Sequence, residues 1–273
     1  MTRSPFPLPV VPRAFYWTDE SWGPALRCRP LDAVAPHLFT TRQLELSESR
    51  SVGELAASLG ARGVAMLNQV HGRTVIVVRD DEVPPVRPEA DALISNAREV
   101  AIAVRAADCV PLLMADARTG AVAAVHAGWR GTAAAIVVAA VEALSREFGT
   151  RADDLIVAIG PSIGSCCYEV GTELVDAFAA AGHERYLIDR WFTAPPLRRG
   201  VFRPTAGGDA PRLRLDVTGA NRDQLILAGV PETSIHVAGL CTAEHLDVLT
   251  SYRAEREKAG RIAGAIRVAG KDG

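Results

Sequence analysis

The stretch VAIAVRAADCVPLLMADARTGAVAAVHAGWRGT, residues 100–132, decides the fold. Three short apolar runs stand out in it: Val100–Ala106, Pro111–Asp116 and Ala121–His126. Each is bounded by Gly, Pro or charged residues, as strands are. Working outward, Gly63–Val70, Thr74–Val78 and Asp91–Ser95 read the same way upstream, and Leu155–Ile159, Arg212–Asp216 and Ser234–Cys241 downstream. Thr132–Phe148 reads as one helix, with Thr132 at its start and Gly149 just past its end. Thr172–Ala181 and Val217–Ala228 are the other two predicted helices, the second closed by Gly229. Strands outnumber helices and do not alternate with them one for one. That predicts an α+β fold of mixed β-sheets flanked by helices, rather than a doubly wound parallel sheet.

No repeat and no shift of composition divides the 273 residues, so a single domain spanning 1–273 is expected. Residues 1–13 are Pro-rich and read as an extended lead-in, while 79–90 and 194–212 read as surface loops. Basic and acidic residues nearly balance, 30 against 32, and aromatics are only 5%. Both facts argue against a nucleic-acid partner. The longest stretch free of Asp, Glu, Lys and Arg is the 14 residues Leu155–Tyr168, too short for a membrane span. Pro5, Pro7, Pro9 and Pro12 break up what would be the apolar core of an export signal. Cys28, Cys109, Cys166, Cys167 and Cys241 are few, odd in number and without a CxxC, so no disulfide framework is expected. A cytoplasmic home is the resulting expectation.

Three potential metal ligands fall at ends of predicted strands: His71, Cys109 and His126. Two imidazoles and a thiolate leave a fourth position open, the pattern of a catalytic zinc rather than a closed structural one. Their wide spacing means that only the fold can assemble them. Polar or glycine neighbours (Asn68-Gln69, Asp108, Gly128-Trp129-Arg130-Gly131) interrupt otherwise apolar runs beside each ligand. The segment HAGWRGT, 126–132, leads into the predicted helix, whose N-terminus with Arg130 suits a phosphate. A Cys109 dyad with His71 or His126 is an alternative nucleophile–base pair. Six histidines (37, 71, 126, 183, 236 and 245) are too few for a multicopper oxidation centre.

NQVHG (68–72), ADALIS (90–95), RAADCVPLLMAD (105–116), AVHAGWRGT (124–132), AIGPSIGSCCYEVG (158–171) and SYR (251–253) together resemble the purine nucleoside phosphorylase family once called multicopper polyphenol oxidases or laccase-domain proteins. The family includes the peptidoglycan editing factor type. The resemblance implies a zinc ion on His71, Cys109 and His126. It also implies phosphorolysis of adenosine, inosine, guanosine and methylthioadenosine to base and ribose 1-phosphate, with adenosine deamination alongside. The expected partners are therefore a purine nucleoside and phosphate. Arg42, Arg130 and Arg253 are candidate phosphate partners, Asn68 and Gln69 candidate readers of base or ribose, and Asp108 a candidate proton donor to the departing base. Two segments depart from the family pattern: 43–62, after Arg42, and Ala254–Gly260, after SYR. The competing expectations are a metal-free Cys–His hydrolase or deamidase acting on cell-wall precursors, and a nucleoside-binding module without turnover.

Overall fold

A computed structural model describes residues 7–44, 46, 49–79, 83–84, 86–194 and 212–270. Strands β1 (Phe15–Glu20), β2 (Gly23–Cys28), β3 (His37–Phe39), β15 (Ile262–Ile266), β7 (Val100–Ala106) and β4 (Gly63–Ala65) hydrogen-bond in that order into one six-stranded sheet. A second is ordered β14 (Ile235–Val237), β10 (Leu155–Ile159), β8 (Val110–Asp116), β9 (Val122–Ala127), β6 (Ala92–Ser95) and β5 (Val75–Val78). A small third sheet joins β11 (Glu169–Val170), β13 (Leu213–Leu215) and β12 (Phe192–Thr193). The pairs β4–β7, β5–β6 and β10–β14 are parallel and the others antiparallel, so both large sheets are mixed, as expected.

Period-two alternation explains how the layers stack. On β7, Val100, Ile102 and Val104 join a core that also holds Leu113, Ala115, Val122 and Ala124 of the second sheet. Ala101 and Ala103 face the other way, onto Leu55, Ala56 and Leu59. Leu55 and Ala56 belong to helix α2 (Ser49–Ser58), which the sequence reading missed within the divergent 43–62 segment. On β8, Leu112 and Met114 point away from the first sheet, toward helices α4 (Ile136–Phe148) and α7 (Val217–Leu227). The order is therefore α2, first sheet, second sheet, then α4 with α7. One core between the two large sheets makes this a single domain. Shorter helices α1 (Arg29–Asp32), α5 (Glu173–Ala180), α6 (Arg185–Trp191) and α8 (Tyr252–Glu255) fill the margins.

The helix expected over Thr132–Phe148 is in fact two. Helix α3 (Trp129–Ala133) ends, Ala135 turns left-handed at φ 57°, and α4 begins at Ile136. An Ala in that region costs about 1–2 kcal/mol, so tertiary contacts must hold it. Thr132 supplies them: its hydroxyl accepts from Asn221 Nδ2 at 2.9 Å, and its carbonyl from Gln224 Nε2 at 2.9 Å. It clasps α7 instead of capping a helix. The predicted strand Gly63–Val70 is regular only over Gly63–Ala65, and Ser234–Cys241 only over Ile235–Val237. Residues 7–12 carry no regular structure, and 1–6 lie outside the described residues, as do 80–82 and 85 of the 79–90 loop and 195–211 of the 194–212 loop.

Candidate metal centre

Strand register builds the centre. β8 and β9 pair with Pro111 opposite His126 and Val110 opposite Ala127, so Cys109, one step before that ladder, comes beside Gly128. A Cβ at position 128 would lie 2.8 Å from Cys109 Sγ and 3.0 Å from His71 Cδ2, so only glycine lets the thiol and ring approach. On the other side of β9, Ala92 pairs with Val125, which places Asp91 next to His126. The His126 amide donates to the Asp91 carbonyl at 2.8 Å, and His126 Nδ1 lies 2.8 Å from Asp91 Oδ1.

His71 arrives on the loop after β4. The Gln69 side chain fastens that loop to β7: Nε2 donates to the Arg105 carbonyl at 2.7 Å and Oε1 accepts from the Arg105 amide at 2.9 Å. Three successive amides then point at the Asp91 carboxylate, Val70 at 3.3 Å, His71 at 2.9 Å and Gly72 at 2.6 Å. His71 adopts φ 61° to do so. Its ligand atom, that of Cys109 and that of His126 lie within 4.8 Å of one another, with Cys109 Sγ 3.9 Å from His71 Nε2. A tetrahedral zinc with two N ligands and one S holds those atoms about 3.3–3.6 Å apart, so the set fits with a small inward movement. His126 and Asp91 are buried, Cys109 is half-buried and His71 is exposed, which leaves the open position facing outward.

The electrostatics suit a thiolate. Burial pushes the Cys109 thiol up, but hydrogen bonds to His126 and His71 and the charge of both rings outweigh it, drawing it to about 6. Burial opposes charge on His126 too, yet Asp91 and Cys109 lift it to about 9. Burial works against the Asp91 charge as well, and the bonds from His126, Gly72 and His71 hold that carboxyl below its ordinary range. Asp91 thus stands where a carboxylate would orient the His126 ring toward a metal. The sequence reading passed over it. The available signal was a lone acid at the head of the apolar run ALIS, since a buried charge needs partners.

A cleft of about 720 Å³ opens over the three ligands. Asn68, Gln69, Asp108 and Arg253 also line it. Asn68 is exposed, 3.4 Å from Glu89, while both ends of the Gln69 amide are engaged with Arg105. Asp108, at φ 85°, accepts from Thr242 Oγ1 at 2.7 Å and from the Arg253 amide at 2.6 Å, so it clasps α8 to the cleft. Arg253 donates to the Glu169 carbonyl at 2.7 Å and lies over the Tyr168 ring. Two predicted phosphate partners are not brought to this lining. Arg42 is ion-paired with Glu255 at 2.9 Å, and Arg130 is exposed, stacked on Trp129. The helix N-terminus read at Thr132 is absent for the reason given above.

Instead the cleft gains cations that sequence reasoning did not select. Arg105, Arg256 and Arg261 line it together with Arg253. Arg105 Nε is buried without a hydrogen-bond partner. Arg256 comes from the divergent segment Ala254–Gly260 after SYR, which forms a tight turn over Arg256–Lys258, and Arg261 follows directly after it. Burial, then the charge near Cys109, pushes the Tyr168 hydroxyl up to about 12, so it keeps its proton. Of the four non-glycine residues with positive φ among the described residues, His71, Asp108 and Arg256 line this cleft. Strain of that kind collects at functional sites.

Residues 41–269 match a family model described as multi-copper polyphenol oxidoreductase laccase. The chain belongs to that laccase-like family. It is 34% identical over 270 residues to a purine nucleoside phosphorylase of Deinococcus radiodurans, covering 92% of this chain and 95% of that one. It is 35% identical over 209 residues to adenosine deaminase RL5 of an unknown prokaryotic organism, covering 73% and 74%. The solved structure of YlmD from Geobacillus stearothermophilus superposes with TM-score 0.75 at 29% identity, covering 93% of this chain and 99% of that one. The family description implies several coppers. Among the described residues one metal-sized cluster contains imidazole, with two rings, and His37 and His183 bond elsewhere to backbone. That donor set does not fit a multicopper centre. No helix among the described residues is long and apolar enough to cross a membrane.

Proposed function

We propose that this laccase-like family member is a zinc-dependent purine nucleoside phosphorylase. It would cleave adenosine, inosine, guanosine and methylthioadenosine to free base and ribose 1-phosphate, and deaminate adenosine at the same centre. The observation that carries the reading is the convergence of His71, Cys109 and His126, braced by Asp91, beneath a cleft walled by arginines. The names of the relatives point the same way. Zinc held there supplies Lewis acidity to an oxygen nucleophile, phosphate or water.

The chain's own residues do the rest. Arg253, Arg105, Arg256 and Arg261 hold the phosphate dianion beside the ribose. An oxygen of the hydrogenphosphate dianion attacks C1′, the bond to the purine nitrogen breaks and its electron pair leaves with the base, which takes the proton that the hydrogenphosphate gives up. Tyr168 stays protonated and offers its O–H within the cleft. Asp108 keeps Arg253 and α8 in place. In the deamination, water adds at C6 and ammonia leaves. Chromatography of adenosine and inosine incubations, with and without phosphate, for wild type and His71→Ala, tests this. Free base only with phosphate, lost in the variant, is the expected result. Inosine formed from adenosine without phosphate marks the deaminase. No product from any nucleoside overturns the reading.

One observation favours a second reading. Cys109, His126 and Asp91 form a thiol–imidazole–carboxylate series without any metal, the layout of a cysteine hydrolase. That reading requires full activity in metal-stripped protein and its loss on alkylation of Cys109.

A further inference from the structure

Away from the centre just described, a second cleft of about 240 Å³ shares no lining residue with the first. Cys166 and Cys241 line it, with Glu244 beside them. The thiols of Cys166, Cys167 and Cys241 all lie within 4.8 Å of one another. They come from distant parts of the chain: Cys166 and Cys167 sit on the loop between β10 and β11, and Cys241 follows β14. A bridge between Ser162 and Cys241 holds the two segments in register. The Gly164 amide donates to Cys241 Sγ at 3.2 Å. A Cβ at position 164 would stand 3.0 Å from Cys166 Sγ and 3.3 Å from Cys241 Cβ, so glycine leaves room for the sulfurs to gather. All three cysteines are free.

We propose that Cys166, Cys167 and Cys241 form a second metal site, for a thiophilic d10 ion, zinc or cuprous copper, with the Glu244 carboxylate as the adjacent oxygen donor. Soft thiolates select such ions. Four-coordinate zinc with bonds near 2.3 Å spaces its sulfurs about 3.8 Å apart, within reach of the observed grouping. A disulfide would use two of the thiols and leave the third idle, whereas an ion uses all three. On binding, each S–H that becomes a ligand releases its proton to solvent. The ion ties the loop to the segment after β14. That loop runs directly into Tyr168 and Glu169, and the Glu169 carbonyl holds Arg253. The second site is thus a brace for the cleft wall and is independent of what the first centre catalyses.

The test uses the full chain, reduced and handled without oxygen, loaded with zinc in one arm and with cuprous ion in the other. Metal content after gel filtration, and the number of sulfur neighbours from X-ray absorption, are read for wild type, Cys166→Ser and Cys109→Ser. Cys166 is exposed, so its serine variant should fold. The expected result is one more ion per chain in wild type than in Cys166→Ser. In Cys109→Ser an ion with three sulfur neighbours remains. The arm that yields three sulfurs per ion identifies the metal. Equal metal in wild type and Cys166→Ser in both arms overturns the proposal. So does a spectrum with at most one sulfur per ion, or a Cys166–Cys241 disulfide whose reduction adds no metal.

Discussion

Replacing Asp91 by Asn probes the centre without touching a ligand. Asp91 Oδ1 takes His126 Nδ1 at 2.8 Å and the His71 amide at 2.9 Å, while Oδ2 takes the Gly72 amide at 2.6 Å and the Val70 amide at 3.3 Å. An asparagine has one oxygen. Whichever way its amide turns, one pair of N–H donors faces an NH2 group. A hydrogen bond to a charged acceptor contributes about 1.5–3 kcal/mol, so the change costs a few kcal/mol, shared between folding and metal binding. For a carboxylate behind a metal-binding imidazole, the metal share is about 10–100-fold in affinity, or about 1.4–2.7 kcal/mol. Competition with a chromophoric chelator measures zinc affinity directly, and circular dichroism checks the fold. Excess zinc should restore part of the phosphorolysis, because all three ligands remain. An Asp91→Asn protein that binds zinc within twofold of wild type would refute the reasoning.

Gly128→Ala places a methyl 2.8 Å from Cys109 Sγ and 3.0 Å from His71 Cδ2, so metal content should fall by about tenfold or more while the far-ultraviolet spectrum is unchanged. Arg253→Ala removes a charge-assisted contact of about 1.5–3 kcal/mol, so the KM for phosphate should rise about 10–100-fold. Adenosine deamination, which needs no phosphate, should change far less, and steady-state kinetics of both reactions decide the matter. His37 is buried, accepts from the Cys28 amide at 2.8 Å, and has Nδ1 3.0 Å from the Ala35 carbonyl, the pattern of a neutral ring. Burial pushes it from 6.5 down to about 4, against the pull of Asp32. Between those values the unfolded chain binds more protons, so its contribution is complete above pH 6.5 and drains away toward 4. The loss amounts to about 3 kcal/mol, and urea titrations of wild type and His37→Gln across that range should diverge accordingly.

Legibility in the sequence followed local pattern. β7 and β10 match their predicted bounds because each is a short apolar run with clear punctuation at both ends. The first sheet's β1, β2, β3 and β15 were missed. β1 is half-exposed and reads FYWTDE, with two acids at its end, and β15 is five residues long with Gly264 at its centre. That glycine answers to a distant partner, since a Cβ there would meet the Phe39 ring at 3.0 Å. The break at Ala135 was invisible because nothing in the run TAAAIVV disfavours helix; the cause lies in Asn221 and Gln224 on α7. Arg42 and Arg130 were chosen by proximity to motifs, whereas a guanidinium's role depends on which carboxylate or ring reaches it first.

The sequence alone determined the kinds of groups available: two imidazoles and a thiol at the ends of apolar runs, in a mixed-sheet α+β chain with no charge excess. Those choices rest on residue chemistry and on periods of two and 3.6, which are local. Tertiary structure decided which groups meet. Pairing β6, β9 and β8 in one register set Asp91 against His126 and Cys109 beside Gly128, and the fold gathered cations from two distant segments, β7 and 253–261, around the cleft. A shift of one residue in either ladder would turn those side chains to the opposite face. That register is fixed by burial of whole strands on both faces, a property of the assembled core and of no single segment.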